Sequence, residues 1–410
     1  MEFTQLTKEE YIEFTQKSTQ ATFLNAYAYI EMKEKNGAET ELLGVKKNGS
    51  VIAATGIVYL KTKKIFTYAY APRGFVMDYD DEEVISFFTE NIRSYLAKKN
   101  VVYLMMEPFV LLQKRDRFGN IEGVTHHNRV DRLKKYGYLH QGYTVGISYA
   151  NVRFMYVVDI PYATEKELFD SFERNARRGI ESAKKYHVHL RKMTREELPE
   201  FYNVMMSTEK RRNYRGRDLK YYQDMWDAFS QIDGISYRCC EMNVKEALMT
   251  TSKEIRSLEN EISEIKSKNE NLSKKQINKI HEKENQLSKE SKRYEELQNI
   301  LDEKGETIIL SAGMWYEYAH EYLCLISGVY EEYMNFGGPH MMHYAMMKEI
   351  VERKDFNRYN FYGISGDFSK EAIDAGVLAF KQSFGGHVEE LLGDFHLVIQ
   401  PMKYKLIMIL

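Results

Sequence analysis

Apolar side chains between residues 245 and 304 fall at Leu248, Ile255, Leu258, Ile262, Ile265 and Leu272, a three-and-four alternation in which Asn269 fills one slot. That spacing predicts a helix with a heptad seam. A second seam runs through Ile277, Ile280, Leu287, Tyr294 and Leu301, beyond a polar stretch at 271–275, while lysines and glutamates take most other positions. Both halves of a seam thus lie in one segment, which predicts an antiparallel coiled-coil hairpin; the competing reading is a coiled coil that dimerises. Arms of about 25 residues would project about 38 Å at about 1.5 Å per residue. The segment has no proline, ends at Gly305 and is followed by the β-branched run TIILSAGMWY. It therefore reads as an insertion into a globular domain.

The flanks carry the shorter periods of an α/β protein. Residues 3–35 contain a helix-like stretch, and GVKKNGSVIAATGIVYL predicts two strands around a KNGS turn. Further strands are expected at KIFTYAYAPRG and VVYLMMEP, with a helix over 82–98 between them. In the second half NVRFMYVVDI reads as a strand, helices follow at 165–185 and 196–208, and strands flank the hairpin. RYNFYGI is a strand that runs into a glycine turn at Gly363 and Gly366, with a helix beginning near Ser369. The repeated order predicts two duplicated domains, one over 1–150 and one over 151–244 and 305–397. The hairpin arm occupies 245–304, and the tail 398–410 is expected to pack back on the first domain.

The 410 residues are 43% hydrophobic and 29% charged, with a net charge of −2. Such a chain can bury sizeable cores, and it is not a polycation that grips nucleic acid indiscriminately. Its three cysteines, Cys239, Cys240 and Cys324, form no disulfide framework and show no zinc-finger spacing, which fits a reducing cytoplasm. The first thirty residues lack the pattern of a secretory signal, and no run of about 18 apolar residues occurs.

Two clusters break the neutral average. Residues 174–192, RNARRGIESAKKYHVHLRK, carry a formal +6, and residues 209–220, EKRRNYRGRDLK, carry +4. Interleaved Tyr186, His187, Tyr214 and Tyr221 are candidates for stacking on bases or sugars while arginines hold phosphates. The alternative is the solvated face of a helix. Farther on, AGVLAFKQSFGG sets Lys381 between Phe380 and Phe384; a lysine in apolar surroundings is costly unless paired, used or snorkelling. GISG is neither a dinucleotide nor a Walker loop, and HExxH and GxSxG are absent. His126 with His127, and His340 with His343, lack partners at ligand spacing, so no metal is expected. HMMHYAMMKEI reads as a packed helix.

Taken together, the MEFTQLTKEEY opening, YAPRGFVMDY, the basic RNARRGIESAKK helix, the inserted hairpin and above all YNFYGISGDF with DAGVLAFKQSF resemble the Fem family of non-ribosomal peptidyl transferases, the FemA, FemB, FemX, MurM and MurN group. Length and sequence flavour are similar to the MurM/MurN branch. The resemblance implies an α/β (α+β) fold of two GNAT-like domains with the hairpin projecting from the second. It implies transfer of an amino acid from aminoacyl-tRNA to the stem-peptide lysine of a peptidoglycan precursor such as lipid II, or to a residue already added there. No cofactor is implied. The partners implied are aminoacyl-tRNA, the precursor, the inner membrane face and oligomers with itself or with family members.

Matched to the family motifs, Lys381 falls at the lysine near the transferred acyl group, with Phe380 as its aromatic neighbour, and its expected role is oxyanion stabilisation. Arg217 and Tyr221 match residues that contact the precursor's phosphate-bearing portion, and Lys33 matches an N-terminal lysine of that site; Arg215 and Arg212 compete for the Arg217 register. Glu107 stands where relatives often have Asp, as a base or as a structural hydrogen-bond acceptor. Arg174, Arg177, Arg178, Lys184, Lys185, Arg212 and Arg215 are the expected tRNA contacts. Some members have a tryptophan in the first helix where this chain has Tyr27 or Tyr29. A non-catalytic tRNA- or partner-binding member is the other function class. An acetyl-CoA acyltransferase is disfavoured because no Q/RxxGxG/A loop is visible.

Overall fold

The computed structural model describes residues 1–146, 151–212, 215–232, 234–267 and 272–409. Two sheets organise them. The first runs Glu2–Gln5, Glu39–Lys47, Ser50–Thr62, Phe66–Ala71, Tyr103–Met106, Phe395–Val398 and Tyr138–His140, with Val76–Met77 paired to Ser50–Thr62. The KNGS turn forms as its sequence predicts. Asn48 and Gly49 adopt φ of 52° and 81°, and the strands on either side pair antiparallel. The helix Glu82–Lys98 is capped by Asp81, whose side chain accepts from the Val84 N–H, and it buries Val84, Ile85, Phe88, Ile92 and Leu96 on that sheet.

The second sheet runs Val188–Lys192, Ile235–Asn243, Thr307–Tyr318, Glu321–Val329, Arg358–Ile364, Phe154–Asp159, His387–Leu391, Leu111–Asp116 and Ile121–Glu122. The last two strands come from the first 150 residues, and Phe395–Val398 crosses the other way into the first sheet. The sheets therefore exchange strands across the expected boundaries at 150 and 397. Pro401–Ile409 forms a closing helix whose Ile407 packs with Val102 and Tyr103.

Several elements differ in detail from the sequence reading. Residues 3–35 hold a strand, the helix Lys8–Lys17 and the helix Tyr27–Lys35 rather than one stretch. The 165–185 helix is broken into Glu165–Ser171 and Arg174–Lys185, because extended Phe172 and Glu173 intervene. The helix expected near Ser369 starts at Ala375.

The hairpin is two helices, Val244–Ser267 and Lys274–Lys304, packed along each other. Its first seam buries Leu248, Leu258 and Ile262, but the second is centred on Ile280, Leu297 and Ile300. Ile277 and Tyr294 are exposed instead. Cross-arm ion pairs, Lys266 to Glu284 at 2.9 Å and Lys283 to Glu261 at 2.5 Å, fix the register where polar residues stand in the seam. Asn269 lies outside the described residues. The root of the hairpin belongs to the second core, where Ala247, Leu248, Leu297 and Ile300 pack with Tyr186 and Phe336.

Candidate active site

Glu321–Val329 and Arg358–Ile364 are parallel neighbours that register only at Leu323 and Asn360. Beyond that pair the strands separate, and the carbonyls on that side of residues 361–363 need other donors. Lys381, on the helix Ala375–Gln382, supplies them. Its Nζ donates to the carbonyl oxygens of Phe361 (2.9 Å), Tyr362 (3.3 Å) and Gly363 (2.7 Å). The side chain is 7% exposed. Burial pushes the ammonium down to about 8, and nearby Arg212 pushes the same way against Cys324 and Asp374.

All three ammonium N–H groups are thus committed to the main chain. The sequence reading aimed this lysine at the reacting oxygen; the structure aims it at the bend beneath. Phe380 turns into the core, its ring 4.9 Å from His340 and 5.3 Å from Phe384. The helix that carries both His340 and His343, Gly338–Arg353, is the packed element its methionines predict.

The bend held by Lys381 is unusual. Tyr362 has φ of 63°, a left-handed conformation uncommon for a residue with a side chain, and its N–H is held by Asn360 Oδ1 at 2.8 Å. Next to it, a Cβ on Gly363 would strike Val152. The strained backbone throws the Tyr362 hydroxyl toward Asn151 Oδ1, to which it donates at 3.1 Å. Asn151 Nδ2 in turn donates to Glu107 Oε1 at 2.6 Å, and Oε1 also accepts from the Tyr70 hydroxyl (2.6 Å) and the Arg73 N–H (3.1 Å).

Glu107 is 3% exposed, and its Oε2 has no hydrogen-bond partner among the described residues. Burial raises the carboxyl to about 7 despite the opposing pull of Arg73 and these donors. So enclosed, the carboxyl turns Oε1 to its three donors. It fixes Asn151 and, through it, Tyr362. Tyr362, Asn151, Tyr70 and Arg73 all escaped the sequence reading, although Tyr362, Tyr70 and Arg73 stand inside motifs it quoted.

The three expected precursor contacts converge beside this network. Lys33 Nζ lies 5.0 Å from the Tyr29 ring centre, and the Arg217 guanidinium lies 5.2 Å from that of Tyr221. Lys220 Nζ and Asp224 Oδ2, on the helix Leu219–Phe229, meet Asn36 at the end of the helix Tyr27–Lys35, at 3.2 and 3.0 Å. Burial and then the neighbouring Arg217 hold the Lys33 ammonium below its ordinary range, against the weaker pull of Asp224. Burial raises the Tyr29 hydroxyl, with Tyr221, Glu107 and Tyr362 adding to it. Two like charges against aromatic walls make a receptor for an anion.

The expected tRNA cations divide. Arg174, Arg178, Lys184, Arg212 and Arg215 are exposed and Arg177 half-buried. Lys185 is instead paired with Glu254 (3.2 Å) and Glu290 (2.7 Å), one on each arm of the hairpin. Tyr186 is not a stacking platform: it is buried edge-on to Phe336, with Arg293 of the arm 5.6 Å from its ring. His187 meets Thr250 Oγ1 at 2.7 Å. Tyr214 lies outside the described residues.

The sequence profile described as the FemAB family matches residues 6–410. The chain belongs to the FemAB family. It is 30% identical to "Aminoacyltransferase FemA" of Staphylococcus epidermidis (strain ATCC 35984), over 99% of this chain and 98% of that one. Against the protein of the same name from Staphylococcus aureus (strain MRSA252) it is 28% identical over 96% and 94%. A crystal structure of FemX shares the fold, with a TM-score of 0.78 at 24% identity and 99% of each chain covered. Membership along the whole length, with such relatives, makes this FemAB protein an aminoacyltransferase.

Proposed function

We propose that this FemAB protein moves alanine, serine or glycine from an aminoacyl-tRNA to a peptidoglycan precursor, building the interpeptide cross-bridge. The acceptor is the side-chain amine of the stem-peptide lysine, or a residue already added to it, on lipid II. One observation carries the reading. Lys33 lies over Tyr29 and Arg217 over Tyr221, near enough for the guanidinium to depress the ammonium, and the Tyr29 hydroxyl also feels Tyr362, whose carbonyl Lys381 holds. A phosphate-bearing acceptor neutralises the paired cations and is thereby anchored a few side chains from the site of transfer.

The chemistry asks little of acid–base groups. The ammonium, of reference pKa about 10.4, first gives one proton to water; the neutral amine nitrogen then bonds to the acyl carbon, the ester C–O bond breaks, and the ribose oxygen leaves with a second proton from that nitrogen. What the protein supplies is placement and a favourable field. Lys381 locks the 361–363 bend and sets a positive charge under the developing oxyanion. Glu107 acts as a positioning residue through Asn151. Exposed Arg174, Arg178, Lys184, Arg212 and Arg215, with half-buried Arg177, take the tRNA backbone.

Incubation with lipid II and a panel of charged tRNAs, followed by mass spectrometry of the muropeptide, tests this. A gain of one amino-acid residue from one charged tRNA is expected; no gain with any of them refutes it.

A further inference from the structure

The closing helix Pro401–Ile409 has two apolar faces. Tyr404 and Ile407 turn inward, the former to His396 and the latter to Tyr103. Met402, Leu406 and Ile409, spaced by four and three residues, form a second stripe that faces solvent, and Met402 and Ile409 are 88% and 83% exposed. A helix with an apolar stripe on its free side lacks a partner for it.

Phe66 packs against the same cluster as Ile407. It brings the turn between Ser50–Thr62 and Phe66–Ala71 beside the helix, with Ile65 at its tip 72% exposed. Around these apolar side chains stand Lys61, Lys63, Lys64, Lys403 and Lys405, and neither 61–66 nor 401–409 contains an acid. At the rim, the acids Glu39 and Glu41 are both held by Lys99, at 3.1 and 2.7 Å. Protruding apolar side chains ringed by lysines that make no ion pair among the described residues complement one kind of surface, an apolar interior beneath anionic headgroups.

We propose that this surface docks the enzyme on an anionic phospholipid bilayer. Met402, Leu406, Ile409 and Ile65 enter the headgroup–acyl boundary, and the lysines lie against lipid phosphates. The strands Phe66–Ala71 and Tyr103–Met106 run parallel from this surface to the Glu107 network. Four residues separate Phe66 from Tyr70, about 13 Å at about 3.3 Å per residue. Docking therefore brings the anion receptor's neighbourhood within reach of an acceptor tethered in the same membrane. That purpose rests on the lipid-linked acceptor proposed above; the docking itself does not.

The test is co-sedimentation of the full chain with acceptor-free vesicles of phosphatidylglycerol and phosphatidylcholine, or of phosphatidylcholine alone. Binding to the anionic vesicles is expected, falling at least about tenfold in Leu406→Glu/Ile409→Glu and in Ile65→Glu, and about fivefold per lysine in Lys63→Ser/Lys64→Ser. Turnover on a water-soluble acceptor lacking the lipid chain stays unchanged in these variants. The proposal is overturned by no binding by the parent chain, by equal binding to neutral vesicles, or by binding that survives both glutamate variants. Elution of the parent as a dimer that Leu406→Glu/Ile409→Glu converts to a monomer also overturns it, in favour of contact between copies. Vesicle binding without turnover on any acceptor leaves docking standing and removes the proposed function.

Discussion

Replacing Glu107 with glutamine separates a buried positioning group from a proton acceptor. Burial raises this carboxyl from 4.5 to about 7. A group whose folded pKa exceeds its unfolded value contributes stability that is whole below the unfolded pKa and is lost as pH climbs through the folded one. At about 1.36 kcal/mol per pH unit, that rise is worth about 3 kcal/mol, present at pH 4.5 and gone above pH 7. Glutamine does not ionise. Its Oε1 still accepts from Tyr70, Asn151 and the Arg73 N–H. Its amide nitrogen falls where Oε2 has no partner, a cost of about 1–3 kcal/mol that pH does not change.

The stability of Glu107→Gln relative to the parent should therefore improve by about 3 kcal/mol from pH 4.5 to pH 8, whatever its absolute value. With 410 residues and an unfolding entropy of about 2.1 cal/mol/K per residue, the gap in Tm moves by about 3–4 °C. Thermal melts of both proteins at one scan rate across that pH range read it directly. A gap that stays constant would mean the carboxylate is ionised throughout and would refute the reasoning. In the same variant turnover should stay within about tenfold, whereas a loss of about a hundredfold or more would make Glu107 the acceptor of the amine proton.

Three further outcomes follow from the site. Lys381→Met removes a buried charge but leaves three carbonyls without donors, so the two costs largely offset; Tm should move only a few degrees while kcat falls at least about a hundredfold, and near-normal kcat would remove Lys381 from the mechanism. Arg217→Ala should raise the acceptor KM about tenfold with kcat little changed; an unchanged KM would place the phosphate elsewhere. Excising residues 257–289 behind a short linker, which spares the Lys185 pairs and the buried root, should weaken tRNA use more than acceptor binding, and unaltered tRNA titrations would give the arm another purpose.

Much of the framework was legible because local chemistry and packing agree. Asn48–Gly49 could only turn, Asp81 could only cap, and the Ile262 heptads could only pair. The second seam was misread because Glu290 and Arg293 face partners from outside the hairpin, Lys185 and Phe336, that no heptad count contains. Tyr186 looked like a stacking ring for the same reason, since its burial depends on an arm that begins about sixty residues later. Lys33, Arg217 and Tyr221 were found from motif positions, but their convergence is a tertiary fact. Tyr362 and Tyr70 read simply as good strand formers, and only the φ of 63° and the link through Asn151 mark them as parts of the site.

The mutual loan of strands between the two sheets has a consequence for how the chain can be divided. Cut at residue 150, the amino-terminal piece would keep Leu111–Asp116 with no sheet to enter, and Tyr103–Met106 would lose Phe395–Val398 and become an open edge. Neither fragment is self-sufficient. Produced separately, each should be insoluble, yet mixed or co-expressed they hold the complementary edges needed to reconstitute one another, so a split version of this enzyme would report its own reassembly.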